Sequence, residues 1–127
     1  MLLLLPTIKI IVMFRKLYDK IFRQRRLKRA ERLAQYVHCM KELKKSDKIS
    51  TPVARDTERV LHMLYLKGIE YEMNISSLGR CTIAINLDCQ CAGIMKDVVR
   101  LTIAGIIHSF HFSPDLTDDN SMYLVIN

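Results

Sequence analysis

Two stretches of alternating apolar and polar residues, joined by a short turn, constrain the fold of this chain more than any other feature. The alternation covers residues 69–75 and residues 80–90, and Gly79 lies in the turn between them. Successive side chains of a β-strand point to opposite faces, so the pattern predicts a hairpin with one apolar face. A lone hairpin is marginally stable in water, and we therefore expect this face to pack against helices. In the second stretch the apolar face is predicted to carry Cys81, Ile83, Ile85, Leu87, Cys89 and Cys91.

A long helix is predicted before the hairpin, from Phe14 to about Lys45. Apolar residues recur there at helical spacing, and neither proline nor glycine interrupts residues 7–51. The apolar spacing is clear in both flanks of the helix and almost absent from its centre. We expect the flanks to dock on a core, and the centre to be surrounded by water or covered by a ligand. The flanking apolar residues are Phe14, Leu17, Tyr18, Ile21 and Phe22 on one side and Leu33, Val37 and Met40 on the other.

A second helix is predicted to begin after a polar segment and to run to about Lys67. Thr51 is a favourable N-cap, and Pro52 is favourable at the first helical position. Gly68 suits the left-handed conformation that often follows a helix. Residues 92–112 fit either a helix or a buried strand, because their β-branched residues suit a sheet while their length and periodicity favour a helix. We prefer the helix there.

Together these patterns predict an α+β fold with the element order α-α-β-β-α-β. A three-stranded antiparallel sheet from residues 69–75, 80–90 and 122–126 packs helices on one face. The long basic N-terminal helix projects from this sheet or lies across it. Half of the residues are hydrophobic and 26% are charged, which is the balance of a globular protein with its own core. We therefore expect residues 14–127 to form a single domain.

Residues 1–13 are predicted to form an apolar N-terminal arm. The arm is too short to span a bilayer, which takes about 20 apolar residues, and it lacks the charge order of a secretory signal. Three interpretations stay open: the arm docks on the core as a strand or short helix, it inserts peripherally into a membrane, or it is not native because translation starts at Met13. Four cysteines without a secretion signal predict free thiols in the reducing cytoplasm.

All of the excess charge falls in residues 15–32. This segment has nine basic and two acidic residues, so its net charge of +7 equals the net charge of the whole chain. Few acids lie at i,i+4 to these bases, and close like charges destabilise a helix, which favours an external polyanion as the counter-charge. The predicted nucleic-acid-binding residues occupy the centre of the helix: Arg23, Arg25, Arg26, Lys28, Arg29 and Arg32.

The charge pattern favours a non-enzymatic, small nucleic-acid-binding or regulatory protein that contacts the phosphates of DNA or RNA. Aromatic residues are sparse among the bases, so stacking on single strands is not indicated. Two alternatives stay open. The basic helix docks on an acidic protein surface, as in an interaction module or inhibitor, or it joins the arm on an anionic membrane surface. A solvated helix face without a partner is the remaining explanation.

The cysteines and histidines do not form a recognisable metal site. Cys89 and Cys91 precede His108 and His111, which are zinc-ligand types, but the C-x2-C knuckle of structural zinc sites is missing. Cysteine also packs as a small hydrophobic residue, and packing on the apolar strand face explains these residues without a metal. We therefore predict no metal and no cofactor.

No arrangement of side chains predicts catalysis. His38 and Cys39 are neighbours on a helix, where their side chains diverge by about 100°. His108, His111 and Asp115 fit the end of a helix and a turn as well as an acid–base group. His62, between apolar residues, is expected to be a partly buried core residue. The chain has no phosphate-cradling loop or nucleophile motif, and we predict that it is not an enzyme.

Overall fold

The structure is a computed structural model that describes residues 4–87, 91–113 and 121–127. Within these ranges the chain is an α+β protein with three helices and one four-stranded antiparallel sheet. The observed order is α-α-β-β-α-β-β, with one strand more than the sequence predicted. The elements are α1 (Leu4–Lys45), α2 (Thr51–Lys67), β1 (Glu70–Ile75), β2 (Cys81–Asn86), α3 (Ala92–Ile106), β3 (Phe110–Phe112) and β4 (Ser121–Ile126).

The chain divides into two compact units, Met1–Ala34 and Gln35–Asn127. The described part of the first unit is helical and belongs to α1, and the second unit contains the end of α1, the other helices and the sheet. The predicted division into an arm at residues 1–13 and a domain at residues 14–127 stays a prediction. Over the described residues, no helix has a stretch apolar enough and long enough to cross a bilayer.

α1 begins at Leu4, ten residues before the predicted start at Phe14. Pro6 lies in its first turn, where backbone N–H groups have no partner within the helix and proline is tolerated. No proline or glycine follows before the helix ends. The apolar residues at its start therefore continue the same helix.

The predicted hairpin is confirmed, since β1 pairs with β2 in antiparallel register from Glu70 opposite Asn86 to Ile75 opposite Cys81. β4 lies next to β2, and the sheet order is β1-β2-β4-β3. The strand that the sequence analysis missed, β3, pairs with β4 along residues 110–112. Three residues are too few to show a period of two, so these residues were assigned to the helix before them.

One face of the sheet carries the hydrophobic core. Along β2 and β4 every second residue is fully buried, while their alternate residues lie on the opposite face. α2 and α3 contribute further core side chains, so the predicted packing of helices on the apolar sheet face is confirmed. The largest fully buried side chains are Leu61, Leu64, Ile83, Ile85, Ile103, Ile107, Met122, Leu124 and Ile126.

The ends of α2 have the predicted types of capping residue, but the N-cap lies one residue earlier than predicted. Ser50 is the N-cap in place of Thr51, and its Oγ accepts a hydrogen bond from the amide of Val53 (3.5 Å). Serine and threonine are both good caps, so composition alone does not distinguish neighbouring positions. Gly68 closes the helix in the left-handed conformation at φ 68°, as predicted.

β2 ends at Asn86, four residues before the predicted end of the strand. Cys81 is buried on the apolar sheet face as predicted. Cys91 is exposed and lies directly before α3, so its predicted place on that face is wrong. Cys89 lies outside the described residues. The alternation in the sequence extends past Asn86, the last residue of β2.

β1 is an edge strand of the sheet, and a side chain of α1 covers part of that edge. Gln35 donates from Nε2 to the carbonyl oxygen of Tyr71 at 2.5 Å. An edge strand presents backbone groups that have no ladder partner, and unpaired groups invite pairing with other chains. The Gln35 amide therefore satisfies one edge acceptor and blunts this edge.

Candidate functional site

The six predicted nucleic-acid-binding residues all lie on α1 within the first unit. Five of their side chains are exposed, and Arg32 is half-buried. The helix is continuous through this segment, so the spacing of the bases along it is fixed by helical geometry. From residue 23 to residue 32 the axial distance is about 14 Å at 1.5 Å per residue.

The six bases surround much of the helix. An α-helix turns by about 100° per residue, so their directions cover an arc of about 220°. Lys28, Arg32 and Arg25 lie within about 60° of one another on one side of the helix. Arg26 and Arg23 lie toward the opposite side, and Arg29 lies between the two groups. We call the first group, Arg25, Lys28 and Arg32, the cationic row.

The centre of α1 has no packed apolar face. Leu27, the one large apolar residue among the bases, has 58% of its surface exposed, and Ala30 is also exposed. This agrees with the expectation that the centre is surrounded by solvent or covered by a ligand. Five of the six bases are therefore exposed on a stretch of helix that has no packed apolar face, and Arg32 alone among them is half-buried.

The first flank of α1 carries the apolar residues that the sequence indicated could dock on a core. Its described apolar side chains are exposed, and the side chain of Phe22 lies outside the described set. A helical period shows that one face is apolar but not what covers that face. We call the exposed apolar residues that share one side of the helix the apolar stripe: Ile10, Met13, Phe14, Leu17, Tyr18 and Ile21. Ile11 and Val12 are also exposed but lie on other sides of the helix.

The second flank packs, but on a different face from the one predicted. Leu33 and Val37 are largely exposed, whereas Cys39 and Leu43 are buried and Met40 is partly buried against the core. The packed residues follow the helical spacing i, i+1 and i+4, so the face is rotated from the predicted one by roughly one residue. Only Met40 belongs to both sets.

The buried thiols are suited to packing rather than nucleophilic chemistry. Burial raises the pKa of Cys39, and the negative charge of Glu42 raises it further. Burial likewise raises the pKa of Cys81, against a smaller opposing hydrogen bond from Thr57. A thiol must ionise to act as a nucleophile, and burial keeps the thiols of Cys39 and Cys81 protonated.

The histidines do not combine with these thiols. His38 lies beside Cys39 in sequence, but its Nε2 lies 3.0 Å from a carboxylate oxygen of Glu42 on the exposed side of the helix. His62 is exposed on α2, so the prediction of a partly buried core histidine is wrong. Its Nδ1 lies 3.2 Å from the Tyr36 hydroxyl. His108 and His111 are also exposed.

A shallow groove in the second unit was missed by the sequence analysis. It lies between the end of α1 and the exposed side of α2, and Tyr36 on its wall stacks on Tyr65 with ring centroids 4.9 Å apart. The spacing of residues 55, 58, 59 and 62 on one helix face was the signal that could have indicated it. The residues lining the groove are Tyr36, Met40, Arg55, Glu58, Arg59 and His62.

Among the described residues, no three metal-ligating side chains of the histidine, cysteine, aspartate or glutamate type come together. Asp115 and Cys89, two residues of the weaker candidate sites, lie outside this set. Comparisons with protein families, with curated proteins and with solved structures give no match to this chain. By its own fold, the chain belongs to the class of α+β proteins and carries a long basic helix.

Proposed function

We propose that this chain is a non-enzymatic nucleic-acid-binding protein that contacts phosphates through the centre of α1. One observation carries the proposal: six bases lie within ten residues of one uninterrupted helix, and five of them are exposed. Lysine and arginine that neutralise phosphates release condensed counterions, and this release drives sequence-independent binding. The proposed contact residues are Arg23, Arg25, Arg26, Lys28, Arg29 and Arg32.

The distribution of the bases around α1 fits a helix with phosphates on more than one side. An α-helix with its side chains is about 10–12 Å across, which fits the width of about 12 Å of the major groove of DNA. Phosphates line both walls of that groove, so an arc of about 220° would place bases toward each wall. Such contacts position the protein on the duplex and do not read base sequence.

Salt dependence of binding tests the proposal. Filter binding with a fluorescently labelled 20-base-pair DNA and an equivalent RNA duplex is measured between 50 and 200 mM salt. If about five bases contact phosphates, log K should fall with log salt with a slope of about −4 to −5 on DNA. Replacing Arg23 and Arg26 by Gln should bring this slope about two units closer to zero.

The matched control replaces Lys44 and Lys45, two exposed bases at the end of the same helix, by Gln. This variant changes the net charge by the same amount, so a general charge effect would reduce its slope equally. We expect its slope to stay close to that of the wild-type protein. Immeasurable affinity at 50 mM salt, or equal slopes for both double variants, would refute phosphate binding by the centre of α1.

A further inference from the structure

We propose that the apolar stripe of α1 docks on an anionic lipid surface, with the helix lying in the plane of the headgroups. This face shares the cationic row with the proposed phosphate contacts, whereas Arg23 and Arg26 lie toward the other side of the helix. The proposal does not rest on nucleic-acid binding. It rests on the exposure and width of the stripe, on the bases that flank it and on the charge that continues its face.

The stripe is both exposed and broad. The exposed fraction of its side chains ranges from 43% for Ile21 to 69% for Met13. At about 100° per residue, its members cover an arc of about 140° over an axial length of about 17 Å. This arc is wider than the narrow seam of a two-stranded coiled coil, and only two heptads are present. A broad apolar arc flanked by charge is typical of a helix that lies in a membrane interface. The exposed Ile11 and Val12 lie outside this arc, and the side opposite the stripe carries Arg15, Lys16 and Asp19 after them.

Basic side chains flank the stripe on both sides. Arg15 lies beyond one edge, and Lys16 and Lys20 lie beyond the other. The two lysines line a shallow surface groove together with Ile10, Met13, Phe14 and Leu17. Long basic side chains lay their methylene stems on apolar surface and keep their charge in the polar layer, which is the arrangement at a lipid–water interface.

The cationic row continues the same face of the helix. Lys28, Arg32 and Arg25 point about 0°, 40° and 60° from the direction of Ile10, inside the arc of the stripe. One side of α1 therefore changes along its length from apolar to positively charged. An anionic bilayer offers both partners that this side requires, an apolar interior and a layer of negative headgroups.

Charge complementarity favours a lipid surface over a second copy of this chain or a nucleic acid as the partner of this face. In a parallel pair of helices the cationic row of one copy would meet the row of the other, and like charges would repel. In an antiparallel pair the row would lie against residues 3–6, which are apolar in sequence. A nucleic acid offers phosphates to the row but no apolar layer to the stripe. Of these three occupants, the lipid surface alone matches both halves of this face.

The test is co-sedimentation of the full chain with vesicles of phosphatidylcholine alone and of phosphatidylcholine with one-third phosphatidylserine. We expect the wild-type protein to pellet with the anionic vesicles and to bind neutral vesicles at least tenfold more weakly. Replacing Leu17 and Ile21 by Ser should weaken binding to anionic vesicles at least tenfold, because two apolar side chains no longer insert. Both residues are exposed, so the variant should keep the wild-type circular dichroism and melting temperature.

A pair of charge variants tests the geometry of the face. Replacing Arg25 and Lys28 by Gln should weaken binding to anionic vesicles about 25-fold, at about fivefold per charge near the headgroups. Replacing Arg23 and Arg26, which point about 150° away from the middle of the stripe, should weaken it about threefold or less. Equal losses in the two variants would refute the proposed orientation of the helix.

Three results would overturn lipid docking. The wild-type protein fails to pellet with anionic vesicles, the Ser variant pellets as well as wild type, or sedimentation equilibrium shows a dimer that the Ser variant loses. The last result would identify a second copy as the occupant. Salt-dependent DNA binding that persists in the Ser variant would show that the two proposals stand or fall separately.

Discussion

The two units of this protein use apolar residues in opposite ways. In the second unit, Leu64 on α2 is fully buried and belongs to a core that includes side chains from the sheet. In the first unit, Leu27 on α1 has 58% of its surface exposed. Among the side chains that the structure describes, which leave out those of residues 4–9 and 22, every buried hydrophobic one lies at or after Cys39. The difference teaches that burial of apolar side chains stabilises the second unit, whereas the described apolar and basic side chains of the first unit are mostly exposed to solvent.

The largest expected effect comes from a matched pair of leucine truncations. Leu64→Ala should lower the free energy of unfolding by about 2–5 kcal/mol, because it removes a fully buried side chain and leaves a cavity. Leu27→Ala should change it by about 0.5 kcal/mol or less. Urea unfolding followed by circular dichroism measures both. If the two variants lose equal stability, the contrast between the units is wrong.

A pair of glycine substitutions should change stability in opposite directions. Gly79 has φ 80°, and a Cβ there would press against the carbonyl oxygen of Lys48, so Gly79→Ala should cost about 1–3 kcal/mol. Gly105 lies in α3 with open space around it, and Gly105→Ala should add about 0.5–1 kcal/mol. Melting temperatures of both variants test this. A melting temperature for Gly79→Ala at or above wild type would contradict the turn geometry.

Substitutions of two glutamines of α1 test where along this helix tertiary packing begins. Gln35→Ala should cost about 0.5–1.5 kcal/mol, because the carbonyl of Tyr71 loses its side-chain donor. Gln24→Ala, at an exposed position of the first unit, should leave stability within about 0.5 kcal/mol of wild type. Chemical denaturation distinguishes the two. Loss of stability in Gln24→Ala alone would place packed structure further toward the start of the chain.

The smallest expected effect is a dependence of stability on alkaline pH. Burial raises the pKa of Cys81 above its ordinary value of 9.0, so the folded state holds this proton more tightly than the unfolded state. This contribution is fully present below pH 9 and is lost as the pH rises through the raised pKa of the folded thiol. Unfolding free energies at pH 8 and pH 10 should differ less in Cys81→Ala than in wild type. An unchanged difference would refute the contribution.

The sequence predicted the parts of the fold in which a period and a burial pattern coincide. The hairpin follows from alternation through residues 69–85, and the closing turn of α2 follows from Gly68 at its end. β3 could not be predicted, because Phe110–Phe112 is shorter than a reliable period and its pairing with β4 is a tertiary contact. Cys91 was assigned to the wrong face because the alternation of apolar and polar residues extends past Asn86, the last residue of β2.

The candidate site was predictable in composition but not in environment. The six bases of α1 are visible in the sequence, and helical spacing fixes how they surround the axis. The exposure of Phe14 and Leu17 was not visible, because an apolar face looks the same whether a core or a lipid surface covers it. The rotation of the packed face from Val37 to Cys39 depends on contacts with distant parts of the chain.

The place of β4 in the sheet sets the order of events during synthesis. β4 lies between β2 and β3, so the sheet cannot close until residues 121–126 have been made. The basic centre of α1 is translated roughly 90 residues earlier, which is about 5–18 s at ordinary ribosome speeds, whereas helices form within about a microsecond. A nascent chain therefore presents its arginines and lysines before its core exists. We expect a polyanion near the ribosome to meet α1 first and to stabilise that helix while the rest is still being translated.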